Sequence, residues 1–185
     1  MKGSKPEHGA GREALLAAVV DVVADHGLRG VTFRAVAERA NVNNTLILHH
    51  FGNRAALLSA ALDWSVERSL EQSKLSEYSQ DTKTFRRNLV EKLLASPELE
   101  AFQLEMSLEA RRQPSLRPAV HRLYERYLTD FSESRNQSGL ETSHPLNRAL
   151  FASIDGLVFQ YLTHAISKEE FIESLDELGE FISRP

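Results

Sequence analysis

Asn43, Asn44, Thr45, Leu48 and His49 fall within seven consecutive positions of the chain. Together they offer amide, hydroxyl and imidazole groups that donate and accept hydrogen bonds, plus one apolar contact. Such a set suits a surface that itself mixes donors, acceptors and methyl groups. Asparagine pairs bidentately with adenine, threonine donates or accepts, and an apolar side chain meets a thymine methyl. The edges of base pairs in a DNA major groove are the partner this chemistry fits.

Other chemistries find no support. H-E-x-x-H, G-x-S-x-G, a P-loop and a dinucleotide fingerprint are all missing from the sequence. The seven histidines are not at metal-ligand spacing. His49 and His50 are neighbours, so on a helix they point about 100° apart and cannot readily share a metal. Without cysteine there is no disulfide, no thiol catalysis and no cysteine-held zinc or iron–sulfur site. No catalytic residue, metal or cofactor is expected.

Hydrophobic residues make up 42% of the 185 positions, enough for a real core. No apolar run approaches the roughly 20 residues of a membrane-spanning helix. Nor does a signal-peptide pattern follow Lys2 and Lys5, so a cytoplasmic protein without a membrane partner is expected. The net charge of −4 divides unevenly: residues 1–54 carry +2 and the remainder −6. The two parts face different partners.

Helices must position these residues, because strand alternation is nearly absent and helical periodicity runs almost throughout. The pattern predicts an all-α chain of about nine helices. The first runs from about Arg12 to His26, with Leu15, Leu16, Val19, Val20, Val22 and Val23 on one face and Gly27 as its stop. Thr32 and Asn43 are N-caps of the second and third. Between those two, Asn41 can take the left-handed conformation that a tight turn demands. Val42, Ile47 and Phe51 form the inner side of the third helix. The fourth starts after Asn53 and fades near Glu77. Ser76–Thr84 reads as a loop, and the fifth helix holds Phe85, Leu89, Val90, Leu93 and Leu94.

Ser96-Pro97-Glu98 opens the sixth helix, which runs to about Arg112 and is expected to bury Leu99, Phe102, Met106 and Leu108. The seventh follows Pro114-Ser115, and Ser134–Ser143 reads as a second loop. The eighth begins near Ser143. The ninth begins at Ser167, where Ser167-Lys168-Glu169-Glu170 matches a capping box. The third helix, presented by the turn before it, makes a helix-turn-helix with Asn43, Asn44, Thr45, Leu48 and His49 outward.

Residues from Arg12 to about Leu62 resemble the DNA-binding domain of the tetracycline-repressor (TetR) family of bacterial regulators. The resemblance is carried by Gly27 and Val31-Thr32, then Val36-Ala37-Glu38-Arg39-Ala40-Asn41-Val42-Asn43. It continues through Ile47-Leu48-His49-His50-Phe51 and Asn53-Arg54-Ala55-Ala56-Leu57-Leu58. Asn41 stands for the family's usual glycine, Asn43 for its capping serine and Arg54 for its lysine. Leu48 stands where the family usually has a tyrosine that contacts the DNA backbone, so that hydroxyl contact is lost. The resemblance implies that Thr32 holds a phosphate and that Arg34 reaches the groove or a phosphate. It sets Asn44, Thr45, Leu48 and His49 against bases and His50 and Arg54 near the backbone. It also implies a palindromic operator in double-stranded DNA.

The expected organisation is an arm over residues 1–11, the helix-turn-helix domain over 12–62 and a larger helical domain over 63–185. The arm reads as a tail, with minor-groove entry by Lys2 and Lys5 as the alternative. The family likeness implies that the large domain binds a small effector and makes a homodimer, and that repression is the default. Aromatic or flexible residues of the fifth to eighth helices are effector candidates: Phe85, Phe102, Met106, Tyr124, Tyr127 and Phe151. Gln103, Glu109 and His121 are polar candidates to orient the ligand. The last two helices carry broad apolar stripes, Phe151, Ile154, Leu157, Val158 and Tyr161 on one and Phe171, Leu175, Leu178 and Ile182 on the other. These are expected at the dimer interface, where Gly156 would let another helix approach. The rival reading is a helical protein-interaction module without DNA binding.

Overall fold

Each apolar-periodic stretch has become a helix. The computed structural model describes residues 8–73, 82–140 and 143–182, and no strand occurs among them. The order is α1 (His8–Gly30), α2 (Phe33–Arg39), α3 (Asn44–Phe51), α4 (Arg54–Ser73), α5 (Thr82–Ala95) and α6 (Pro97–Glu109). A 3-10 turn over Pro114–Leu116 leads into α7 (Arg117–Gln137), followed by α8 (His144–Leu162) and α9 (Lys168–Ile182).

Local chemistry sets most boundaries. Gly27 has φ +64°, which breaks the α1 conformation where the sequence places a stop, although helical hydrogen bonding resumes as far as Gly30. Ser143 caps α8 by accepting from the Leu146 amide at 3.3 Å. The capping box of α9 is complete: the Glu170 amide donates to Ser167 Oγ at 3.1 Å and the Ser167 amide to the Glu170 carboxylate at 2.8 Å. The Ser167 amide, and after it the Ser167 side chain, hold the Glu170 carboxyl below its usual range.

Several ends differ from expectation, and α1 itself starts at His8, before the expected Arg12, and runs past His26 to Gly30. α5 starts at Thr82, inside the expected loop, because its first turn, Thr82-Lys83-Thr84, carries no apolar residue to mark it. α7 runs on to Gln137 through buried Ser134 and Arg135. α6 stops at Glu109, whose carbonyl accepts from both the Arg112 and Gln113 amides in a tight turn. Leu108, expected in the core, is 60% exposed.

The chain divides into two compact units, residues 1–65 with 102–121, and residues 66–101 with 122–185. In the first unit α1 packs on α2 and α2 on α3. Its buried side chains include Leu15, Leu16 and Val19 of α1, Val36 of α2, Ile47 of α3, and Leu57, Leu58 and Leu62 of α4. Phe102 and Met106 of α6 and Leu116 of the 3-10 turn belong to it as well.

In the second unit α9 packs on both α5 and α8. One apolar cluster joins Leu89 and Leu93 of α5, Phe131 of α7, Leu150, Ile154 and Val158 of α8, and Phe171 and Leu175 of α9. Eight of the residues expected at the dimer interface meet this cluster within one chain. Ile154, Val158, Phe171 and Leu175 are buried within one chain, and Phe151, Leu157, Tyr161 and Leu178 pack against the same cluster. Tyr161 stacks on Phe171 with ring centroids 5.0 Å apart. An apolar stripe records that a neighbour exists and not whose neighbour it is; α5 takes much of that place. The Ile182 side chain lies outside the described residues.

Candidate nucleic-acid interface and internal polar cluster

The turn between α2 and α3 is built on backbone hydrogen bonds. The Val42 amide donates to the Ala37 carbonyl at 3.0 Å and the Asn41 amide to the Glu38 carbonyl at 3.2 Å. That pair defines a Schellman ending, which needs a left-handed residue, and Asn41 supplies it at φ +52°. Asn43 then caps α3, its Oδ1 accepting from the Thr45 amide at 2.9 Å. Ile47 and Phe51 point into the first unit, and the Arg12 guanidinium lies 5.5 Å from the Phe51 ring centroid. The opposite face presents Asn44, Thr45, Leu48 and His49 to solvent, with His50 half-buried at its edge. Leu48 is 57% exposed, a large apolar side chain with no place in the core.

The flanking residues divide. Thr32 caps α2, its Oγ1 accepting from the Ala35 amide at 3.1 Å. Arg34 is exposed and pairs with Glu38 at 2.8 Å, which raises its pKa through that hydrogen bond. An exposed i,i+4 pair of this kind is worth little and is readily exchanged for another anion.

Arg54 has a different task from the phosphate contact expected of it. Its Nε donates to the Val31 carbonyl at 2.9 Å and a terminal nitrogen to the Leu28 carbonyl at 2.5 Å. The start of α4 is thereby tied to the link between α1 and α2, directly beside Thr32. Those donors are committed within the protein.

The effector candidates fall in separate places. Phe102, Gln103 and Met106 are buried members of the first unit, and His121, also of that unit, is exposed. Glu109 is engaged by Arg112 at 2.7 Å and by the Gln113 side chain, which together lower its pKa. The Phe85 side chain lies outside the described residues.

Tyr124, Tyr127 and Phe151 do come together, in the second unit. Phe151 stacks on Tyr127 at 5.4 Å and meets Tyr124 edge-on at 6.5 Å. Beside them lie charges that sequence reasoning passed over. Lys92 of α5 pairs with Glu100 of α6 at 2.6 Å, and Glu100 also accepts from the Ser69 hydroxyl at 2.9 Å. Asp155 of α8 accepts from the Tyr124 hydroxyl at 3.4 Å. Burial, then the nearby charge of Glu100, raises the Asp155 pKa. The available signal was Lys92 among Leu89, Leu93 and Leu94, and Asp155 among the apolar positions of α8. A cavity of about 380 Å³ also lies in this unit, lined mainly by Glu67, Glu71, Asp130 and Glu133 with Arg126 among them; no effector candidate lines it.

A helix-turn-helix of this geometry, in an all-helical chain, defines a DNA-binding regulator, and comparison with known proteins gives its family. Residues 15–61 match the family described as "Bacterial regulatory proteins, tetR family", and residues 79–180 match "Tetracyclin repressor-like, C-terminal domain". The chain is 26% identical over 171 residues to the HTH-type transcriptional regulator BetI of Paraburkholderia xenovorans (strain LB400), covering 86% of this chain and 84% of that one. Its fold is similar to a TetR-family regulator from Rhodococcus sp., with TM-score 0.79, 25% identity and coverage of 95% and 100% of the two chains. It is also similar to the multidrug binding protein EbrR complexed with imidazole, with TM-score 0.69, 28% identity and 98% of each chain covered. The chain belongs to the TetR family of transcriptional regulators. It is a DNA-binding regulator and not an enzyme, and the reading as a protein-interaction module without DNA binding gives way to that assignment. Among the described residues no helix is long and apolar enough to cross a membrane.

Proposed function

We propose that the protein is a homodimeric repressor that reads a palindromic operator through α3 and is controlled by a small molecule bound in its helical C-terminal part. The observation that carries this reading is the outward face of α3. Asn44, Thr45, Leu48 and His49 stand exposed on a helix whose start is fixed by the Asn41 turn and the Asn43 cap. The similarity to EbrR, described as a multidrug binding protein, supports an effector. The absence of a membrane-crossing helix among the described residues is consistent with work on cytoplasmic DNA.

Pairing is assigned to the outward face of α8 in place of the buried stripe. Ala149, Ala152, Ser153 and Phe159 are exposed there, and nothing lies within 4 Å of where a Gly156 Cβ would sit. A run of small residues lets a second helix come close. A two-fold dimer places two copies of α3 about one helical turn of DNA apart, roughly 10 base pairs or a multiple of that.

Selecting bound fragments from genomic DNA, then footprinting them, tests the proposal. The expected result is a near-palindromic site protected on both halves. Protection of a single asymmetric half-site would exclude the dimeric reading, and no salt-sensitive binding to any fragment would exclude the reading altogether.

A further inference from the structure

Two carboxylates enter the interior of the second unit, and they are satisfied unequally. Glu100 receives the Lys92 ammonium and the Ser69 hydroxyl. That ammonium, on a side chain only 4% exposed, also lies 5.9 Å from the Tyr127 ring centroid. The fold thus already holds one ammonium between a carboxylate and an aromatic face. Asp155 has comparable surroundings without a cation. Among the described residues its one hydrogen bond comes from the Tyr124 hydroxyl at 3.4 Å, longer than an ordinary O–H···O bond, and no lysine or arginine pairs with it. Phe151, one turn earlier on α8, meets Tyr124 edge-on and stacks on Tyr127. Lys92, Glu100 and Asp155 leave one negative charge in excess when all are ionised.

An unpaired, largely desolvated carboxylate costs folding free energy. A ligand that carries a positive charge to it recovers that cost. A neutral ligand does not, and an anion is repelled by Glu100 and Asp155 together. A bare metal ion needs several oxygen or nitrogen ligands, and no group of three such side chains occurs among the described residues.

We infer that Asp155, Tyr124 and Phe151 form a seat for a small organic ammonium, its charge on the carboxylate and its C–H surface against the rings. This rests on the reading that a small molecule controls the protein, and it names the class of that molecule.

The test uses the full chain and tetramethylammonium chloride as the probe. Sodium chloride at equal ionic strength and tert-butanol, a neutral molecule of similar shape, are the comparisons. Thermal unfolding and calorimetric titration are the readouts. The wild-type midpoint should rise saturably with tetramethylammonium and with neither comparison. Asp155→Asn, which keeps the shape and removes the charge, should bind at least tenfold more weakly. Tyr124→Leu should also weaken binding, and Glu133→Gln, at an exposed carboxylate away from the seat, should bind like the wild type.

Absence of saturable binding to the wild type would overturn the inference. So would equal binding of tetramethylammonium and tert-butanol, or undiminished binding to Asp155→Asn. Should that variant not fold, undiminished binding to Tyr124→Leu would overturn it in the same way. Operator affinity measured with and without the probe separates the seat from the regulatory reading. Saturable binding that leaves operator affinity unchanged supports the seat and tells against effector control. Operator release by an uncharged compound, with no ammonium binding, does the reverse.

Discussion

Arg34 and Arg54 carry the same group and are used differently. Arg34 is exposed on α2 and, among the described residues, is held only by Glu38. Arg54 donates to the carbonyls of Leu28 and Val31 and is half-buried. Arg54→Ala leaves those carbonyls without their donor and should cost about 1–3 kcal/mol of stability, seen as a lower thermal midpoint, with little change in the salt dependence of DNA binding. Arg34→Ala should leave the midpoint in place and reduce the salt slope by about one, the signature of a lost phosphate contact. Thermal unfolding and binding curves at several salt concentrations check both. An intact Arg54→Ala with a flattened salt dependence would return Arg54 to the phosphate.

Leu48 poses a narrower question, because its exposure leaves it either to fill space or to meet a thymine methyl. Leu48→Tyr should weaken operator binding and leave random DNA unaffected, since a polar ring would displace an apolar contact. Binding curves on both DNAs decide it; equal tightening on both would mean that Leu48 only fills space.

At the scale of elements, legibility followed the range of the interactions. The caps at Thr32, Asn43 and Ser167 and the left-handed turn at Asn41 depend on side chains within a few residues, and all four were readable. So was the outward face of α3, since Ile47 and Phe51 take the inner one. The partners of α8 and α9 were not readable. Ile154 and Leu175 pattern alike whether α5 or a second chain covers them, and only the fold assigns them inward. The internal polar cluster was missed for the same reason. Ser69, Lys92, Glu100 and Asp155 sit on four helices and are brought together only by packing.

The outward face of α8 yields its own test. Gly156→Leu meets open space in the protomer and replaces a poor helix former, so the isolated chain should be at least as stable. A second helix at that face would be blocked. Sedimentation should then report monomers and operator binding should fall. A dimer that survives the substitution would place pairing elsewhere.

For the whole molecule, Asp155 links stability to pH. Burial and Glu100 raise its pKa, with the Tyr124 hydroxyl opposing them. Between the unfolded and the raised value the folded chain binds more protons. Stability from this group is therefore greatest below the ordinary aspartate range and declines as pH rises through the folded value. Glu109 and Glu170, whose pKa values are lowered, act in the opposite direction. Asp155→Asn removes the Asp155 contribution. It should raise the thermal midpoint at pH 7, and the gain should vanish below about pH 4, where the aspartate is protonated in both states. Unfolding of both chains across that range checks the sign; a gain independent of pH would show that charge is not its origin.

The small residues on the outer face of α8 bear on how much protein a cell must make. Ala149, Ala152, Ser153 and Gly156 remove little apolar area from water when covered, and Phe159 is the large apolar side chain among them. The proposed pairing through that face would be sensitive to abundance. Where most chains are single, the concentration of pairs grows as the square of the total, so doubling expression raises operator occupancy up to about fourfold. The same operator would then be nearly free at low expression and closed over a narrow rise, a threshold set by mass action before any small molecule is bound.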